Sequence, residues 1–191
     1  LDEYADYLVE TTLRAHGFAT LVSMTYLRKG QQLRDAVKQQ LLQRIEAGSL
    51  TRVNLNNSTV YIDPELLESR APRSPAQVRI LSPFDNTVIQ RQRSRDLFAF
   101  DYQIECYVPK TLRQYGYFCL PIMYRDRLVG RVDCKAHRTM NKLEIKSLHI
   151  EHRVDEDFDA LLDQALRSFA TFNRCDKIHV QPEVSSDYPG L

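Results

Sequence analysis

The spacing of apolar residues changes partway along this chain, and that change constrains the fold more than any other feature. Up to residue 45 they recur three and four apart, the period of a helix; from residue 78 onward short runs alternate, the period of a strand. Between the two lie Pro64, Pro72 and Pro75, together with Arg70 and Arg73, which read as a short helix over 65–69 and then a linker. The expected fold class is α+β. A winged-helix unit (helix-turn-helix plus β-hairpin) over 1–71 is followed by an antiparallel β-barrel-like unit with a C-terminal amphipathic helix over 72–191.

The first unit is spelled out in order. Ala5, Leu8, Val9, Thr12, Leu13 and His16 form one stripe, and Gly17 supplies a stop. A short segment covers 20–27. A third helix follows Gly30, with Leu33, Val37, Leu41 and Ile45 inward and Gly48 at its end. Two strand-like runs, 50–55 and 59–62, meet at Asn56-Asn57-Ser58, which is hairpin chemistry. From Arg28 to Arg44 inclusive there are five basic residues, opposed only by Asp35. Arg34 and Lys38 lie on the outward face, where a recognition helix would meet a DNA groove; a solvated helix face would look the same, and winged helices also serve as protein-interaction modules.

Beyond the linker, strands are expected over 78–81, 102–108, 117–124, 128–136 and 143–152, with turns at 125–127 and 139–141. In the fourth run Leu128, Val132, Cys134 and Ala136 take one side, and Arg131, Asp133, Lys135 and His137 the other. So many consecutive antiparallel strands imply a curled sheet or small barrel. Residues 155–172 form a helix with Phe158, Leu161, Leu162, Ala165, Leu166 and Phe169 buried. Asp155, Glu156, Asp157 and Asp159 sit in its first turn, where the helix dipole favours negative charge. A last strand over 177–181 precedes a polar tail.

The charge balance, 26 basic residues against 25 acidic, is deceptive. Residues 1–70 carry a net −1, residues 71–153 a net +7, and residues 154–191 a net −5. In the middle block Arg91, Arg93 and Arg95 alternate, as they would to line one side of an extended segment, while Arg125, Arg127, Arg131, Lys135, Arg138 and Lys142 surround two hairpins. Such polarity suits the phosphate backbone of a nucleic acid.

Other constellations carry less. Cys106, Cys119, Cys134 and Cys175 are too widely spaced for a zinc site and read as buried free thiols of a reducing, cytoplasmic compartment. His149 and His152 fall on opposite faces of a strand, which spoils chelation with Glu151. Asp85 reads as a cap, and Arg131, Asp133 and Lys135 as a cross-face ion network. His137 stands either against phosphate or in solvent. No Ser-His-Asp set, phosphate-binding glycine loop or aromatic stacking ladder is visible. The longest apolar run, Tyr117–Tyr124, is far short of the roughly 18 residues a spanning helix needs.

One ordered set of short motifs is highly specific. Leu81-Ser-Pro-Phe-Asp85 is followed by Arg91-Gln-Arg93, Asp96-Leu-Phe-Ala-Phe100, Tyr102-Gln-Ile-Glu-Cys-Tyr-Val-Pro109, Tyr115-Gly-Tyr117, Leu120-Pro121 and Arg127-Leu-Val-Gly-Arg-Val-Asp-Cys-Lys-Ala-His-Arg138. This set, about 60 residues long, resembles the winged-helix DNA glycosylases of the AlkZ/YcaQ type, bacterial interstrand-crosslink repair enzymes. Asn86 and Ala99 are small departures. The resemblance implies tandem winged-helix units followed by a barrel, in a protein about twice this length that hydrolyses the N-glycosidic bond of N7-alkylated guanine. In that family a Gln-apolar-Gln or Gln-apolar-Asp motif in the N-terminal unit positions the water and stabilises the cationic transition state. Here Gln90-Arg91-Gln92 has the spacing but a charged centre, so no catalytic residue is assigned. The family's DNA-contacting hairpin matches 135–142.

The expectation is therefore the C-terminal, DNA-binding portion of such an enzyme, catalytically incomplete, beginning on Leu1 rather than Met. Double-stranded DNA is the expected partner of a monomer without cofactor, metal or membrane. The expected contacts are Arg34, Lys38, Arg91, Arg93, Arg131, Lys135, Arg138 and Lys142. The competing reading is a winged-helix transcriptional regulator with a β-rich effector domain.

Overall fold

A computed structural model describes residues 1–56, 58–152, 154–182 and 184, and the chain divides into two units, Leu1–Pro72 and Arg73–Leu191. The first begins with α1 (Asp2–His16), whose stripe buries Ala5, Leu8 and Val9. Gly17 ends it at φ 74°, donating its N–H to the Leu13 carbonyl at 2.7 Å. A two-residue strand, β1 (Phe18–Ala19), follows. In the short α2 (Leu21–Met24) Thr20 and Ser23 cap each other reciprocally, at 2.8 and 3.0 Å.

Next, α3 (Gln31–Glu46) buries Ala36, Val37 and Leu41 against Leu8, Val9, Met24 and Leu50. A 2.6 Å ion pair from Arg44 to Asp6 ties α3 to α1. The hairpin of β2 (Thr51–Leu55) and β3 (Ser58–Ile62) joins β1 in a three-stranded sheet of order β1-β3-β2. Asn57, the middle of the expected turn, lies outside the described residues. α4 (Pro64–Glu68) starts on Asp63, whose carboxylate accepts the Glu65 N–H at 2.8 Å.

The second unit is built on a five-stranded sheet of order β4-β5-β6-β7-β8: β4 (Val78–Ile80), β5 (Cys119–Tyr124), β6 (Arg127–His137), β7 (Lys142–Ile150) and β8 (Lys177–Val180). The first four pair antiparallel, whereas β8 runs parallel to β7 because a helix, α6 (Phe158–Phe172), carries the chain back between them. α6 lays Phe158, Leu162, Leu166 and Ala170 on one sheet face, against Leu120, Ile122, Val132, Leu143 and Ile145. It begins at Phe158, so Asp155–Asp157 precede its first turn. Asp155 accepts a hydrogen bond from the Tyr124 hydroxyl and pairs with Arg125 at 3.1 Å.

The opposite face is covered too, by a second apolar cluster of Val88, Phe100, Tyr102 and Leu128. Three expectations change here. Residues 91–98 are a helix, α5 (Arg91–Phe98), not an extended segment: Gln92 donates to Asp96 one turn on at 2.7 Å, and the buried Ser94 hydroxyl donates to the Phe100 carbonyl. Residues 102–108 form no strand but a packed loop; the Tyr102 hydroxyl reaches the Cys119 carbonyl at 2.8 Å. Leu128 lies on the opposite face from Val132, because β6 carries an extra residue at Val129, where Ile122 pairs with Gly130 but Met123 with Leu128. The tail expected beyond residue 181 falls mainly outside the described residues. No helix among the described residues is long and apolar enough to cross a membrane.

Candidate nucleic-acid interface

The loop from Glu105 to Phe118, between α5 and β5, is held by two buried carboxylates. Glu105 accepts backbone N–H groups from Gln114, Tyr115 and Gly116 at 2.8, 2.7 and 3.1 Å. Burial alone would raise its pKa, but those three donors, helped by Arg131, more than offset it and hold the carboxyl below its ordinary value. Asp133, on β6, accepts the N–H of Tyr117 at 2.6 Å and of Phe118 at 3.4 Å. Gly116, at φ 151°, passes so close that a Cβ there would stand 2.5 Å from the Asp133 carboxylate. Arg113 completes the brace: its guanidinium donates to the Glu105 and Val108 carbonyls and lies 4.8 Å from the centre of the Tyr117 ring.

Held this way, Tyr117 and Phe118 form one wall of a groove of about 440 Å³. Lys135 and Arg138 from β6 and the turn after it, Lys146 from β7, and Phe169 and Asn173 from α6 and its C-terminal end line it as well, over an apolar floor of Leu120, Ala136 and Leu143. Three cations and three aromatic rings therefore share one concavity. Asp133 also borders it, but its carboxylate is engaged by the loop's N–H groups and only 5% of the residue is exposed. Cys134 borders it as well; burial, then Asp133, pushes its thiol up to about 12, so it stays protonated and is no nucleophile at neutral pH. The β6–β7 turn is stapled to the segment after α6. Asn141 donates to the Asp176 carboxylate at 2.6 Å and accepts the Asp176 N–H at 2.8 Å, and Arg138 reaches Asn173 at 3.5 Å.

Of the residues picked out from sequence, Lys135 and Arg138 meet in this groove. Lys142 is half-buried at the start of β7 and does not line it. Arg131 is 1% exposed and faces inward. Its guanidinium donates to Glu151 at 2.6 and 3.1 Å and to the Asp101 carbonyl at 3.0 Å, and lies 3.8 Å from the Tyr115 ring and 4.6 Å from Phe100. Buried and engaged, it presents nothing to a phosphate. Its partner is Glu151, not Asp133 as the alternating pattern suggested. Helical winding places Arg91 and Arg95 on one side of α5, bonded to Gln103 and Asp101, and turns the half-buried Arg93 away, its guanidinium pKa lowered by burial.

On α3, Arg34 and Lys38 are exposed, with Lys38 3.6 Å from Asp35. His137 is 2.9 Å from Glu144, and the imidazole helps to lower that carboxyl's pKa. His149 faces the Tyr115 carbonyl at 3.2 Å, and no group of metal-binding side chains occurs among the described residues. All four cysteines are free, Cys106 and Cys134 only half-buried. Asp85 caps a turn, accepting the Thr87 N–H at 2.8 Å. Lys146, Tyr117, Phe118 and Phe169 were not anticipated as site residues. They come from three parts of the chain, the loop before β5, β7 and α6, and no motif joins them in the sequence.

Two comparisons place the chain among known proteins. The model of the family described as "DNA glycosylase AlkZ-like" matches residues 1–172. Among solved structures, the DNA glycosylase AlkZ of Streptomyces sahachiroi is similar, with a TM-score of 0.56 and 16% sequence identity over 94% of this chain. The match covers 46% of that protein, so the chain spans about half its length.

Proposed function

Starting from the fact that the chain belongs to the AlkZ-like DNA glycosylase family, we propose that it is the DNA-holding portion of an enzyme that excises N7-alkylated guanine and unhooks interstrand DNA crosslinks. The observation that carries this reading is the groove in which Lys135, Arg138 and Lys146 stand among Tyr117, Phe118 and Phe169. Cations spaced along a concavity neutralise successive phosphates, and rings on its wall present flat apolar faces to a base or sugar. Buried carboxylates and the Asn141–Asp176 staple pin the backbone of the loop and of the hairpin, so the backbone that carries these groups needs little reordering on binding.

In this reading the first unit is a winged helix: α1, α2 and α3 followed by the β2–β3 wing, with Arg34 and Lys38 offered to duplex DNA. The second is the barrel-like portion, its sheet curled around α6, and the chain acts as a monomer. Glycosidic hydrolysis needs a positioned water and groups that stabilise an oxocarbenium-like transition state. No residue of the groove is given either role, because Asp133 is sequestered and Cys134 is protonated. The chain's own contribution is to bind and orient the duplex.

The test is incubation of the 191-residue chain with duplex DNA carrying N7-methylguanine. The expected result is a complex with the duplex and no free N7-methylguanine. Robust release of the base would place a catalytic group within this chain, and failure to bind would remove the reading altogether.

A further inference from the structure

The loop that walls the groove also has a tip, and the tip faces solvent. Tyr107 is 88% exposed, more than any other large apolar side chain among the described residues, and Leu112 is 71% exposed. Isolated exposed hydrophobics are ordinary on protein surfaces; the support beneath these two is not. The tip is made of two successive turns: Val108 N–H to the Glu105 carbonyl at 2.9 Å closes the first, and Leu112 N–H to the Pro109 carbonyl at 2.9 Å closes the second, a 3₁₀ turn over Lys110–Leu112. Below it, Glu105 accepts three backbone N–H groups and Arg113 bonds both the Glu105 and Val108 carbonyls. Neither Tyr107 nor Leu112 belongs to an apolar cluster of the unit's interior. The brace therefore fixes a projection, not a piece of the core.

Its chemistry selects the partner. From residue 106 to 118 there is no Asp or Glu, while Lys110 is exposed at the tip and Arg113 stacks on Tyr117 of the groove wall. Two exposed apolar side chains on a braced loop, with Lys110 and Arg113 beside them in the chain and Tyr117 of the same loop walling a basic groove, match the wedges by which DNA-binding proteins unstack a base step. We propose that Tyr107 and Leu112 form such a wedge, entering a base step of duplex DNA while the adjoining groove holds the phosphates. This rests on the DNA-holding reading above and goes beyond it: it assigns a deforming contact, where the groove supplies only an electrostatic one.

The two are separable because apolar insertion releases no counterions, whereas phosphate contacts do. The experiment compares the full chain with Y107A/L112A and Y107F on duplexes carrying 2-aminopurine at successive positions, with affinity measured across salt concentrations. The wild-type chain is expected to raise 2-aminopurine fluorescence at one step. Y107A/L112A is expected to lose that rise and to bind about 5- to 100-fold more weakly with an unchanged salt slope. Y107F, which keeps the ring, is expected to behave as wild type. Both truncated side chains are exposed, so an unchanged urea midpoint is the control for folding. Equal binding and equal fluorescence by wild type and Y107A/L112A overturns the wedge and leaves the groove standing. A chain that binds no duplex overturns both.

Discussion

Glu105 shows how much of the groove wall hangs on one side chain. A carboxylate that accepts three backbone N–H groups fixes the whole turn from Gln114 to Gly116, and charged acceptors make the stronger hydrogen bonds. Glu105→Gln is expected to destabilise the chain by about 2 kcal/mol at neutral pH, read as a lowered urea midpoint. The pH dependence has a definite sign. The folded-state pKa is depressed, so the stabilisation is complete above the ordinary Glu value and fades as pH falls through the lower, folded one. The gap between wild type and variant should close on acidification; a gap that widens would contradict the assignment. Arg131 teaches the complementary lesson. In the sequence it is one more cation in an alternating strand; in the fold three rings and Glu151 enclose it. The alternation was legible, but not which side of the sheet meets solvent, because the covering loop has no regular period to announce it.

At the scale of elements, what could be read from sequence follows from periodicity. α1, α3 and α6 bury the stripes their spacing defines, and Gly17 ends α1 with the positive φ that favours glycine. α6 is the clearest case. Leu162 is fully buried against the sheet, and Leu162→Ala is expected to cost about 3 kcal/mol in urea unfolding, whereas Phe172→Ala at the exposed end should cost almost nothing. Equal effects of the two would mean that α6 does not pack as described. Local competition defeated the reading elsewhere. The Arg91–Arg95 alternation looked extended, but i,i+4 pairing between Gln92 and Asp96 and the buried Ser94 favour a helix. The aromatic and β-branched run over 102–108 has strand composition, yet Tyr102 and Glu105 are used as loop anchors. One extra residue at Val129 was enough to move Leu128 to the other face, and no pattern in the sequence marks it.

For the molecule as a whole, a net charge of +1 conceals a middle block of +7. The structure narrows that block further. Arg131 is withdrawn into the interior, Arg91 and Arg95 bond to neighbours along the chain, and Lys135, Arg138 and Lys146 remain together beside three rings. The ordered motifs from Leu81 to Arg138 pointed to the family whose model matches residues 1–172, and their residues include the sheet strands and braced loop that build the groove. Lys146 stayed hidden because it lies outside those motifs and joins the site only through the pairing of β6 with β7. The central claim, that this groove holds DNA through its phosphates, is tested most directly by the salt dependence of duplex binding. Each phosphate contact contributes a slope of about −0.9 in log affinity against log salt, so R138A/K146A is expected to bind more weakly and to lower the steepness by about 2. A slope identical to that of wild type would contradict the claim.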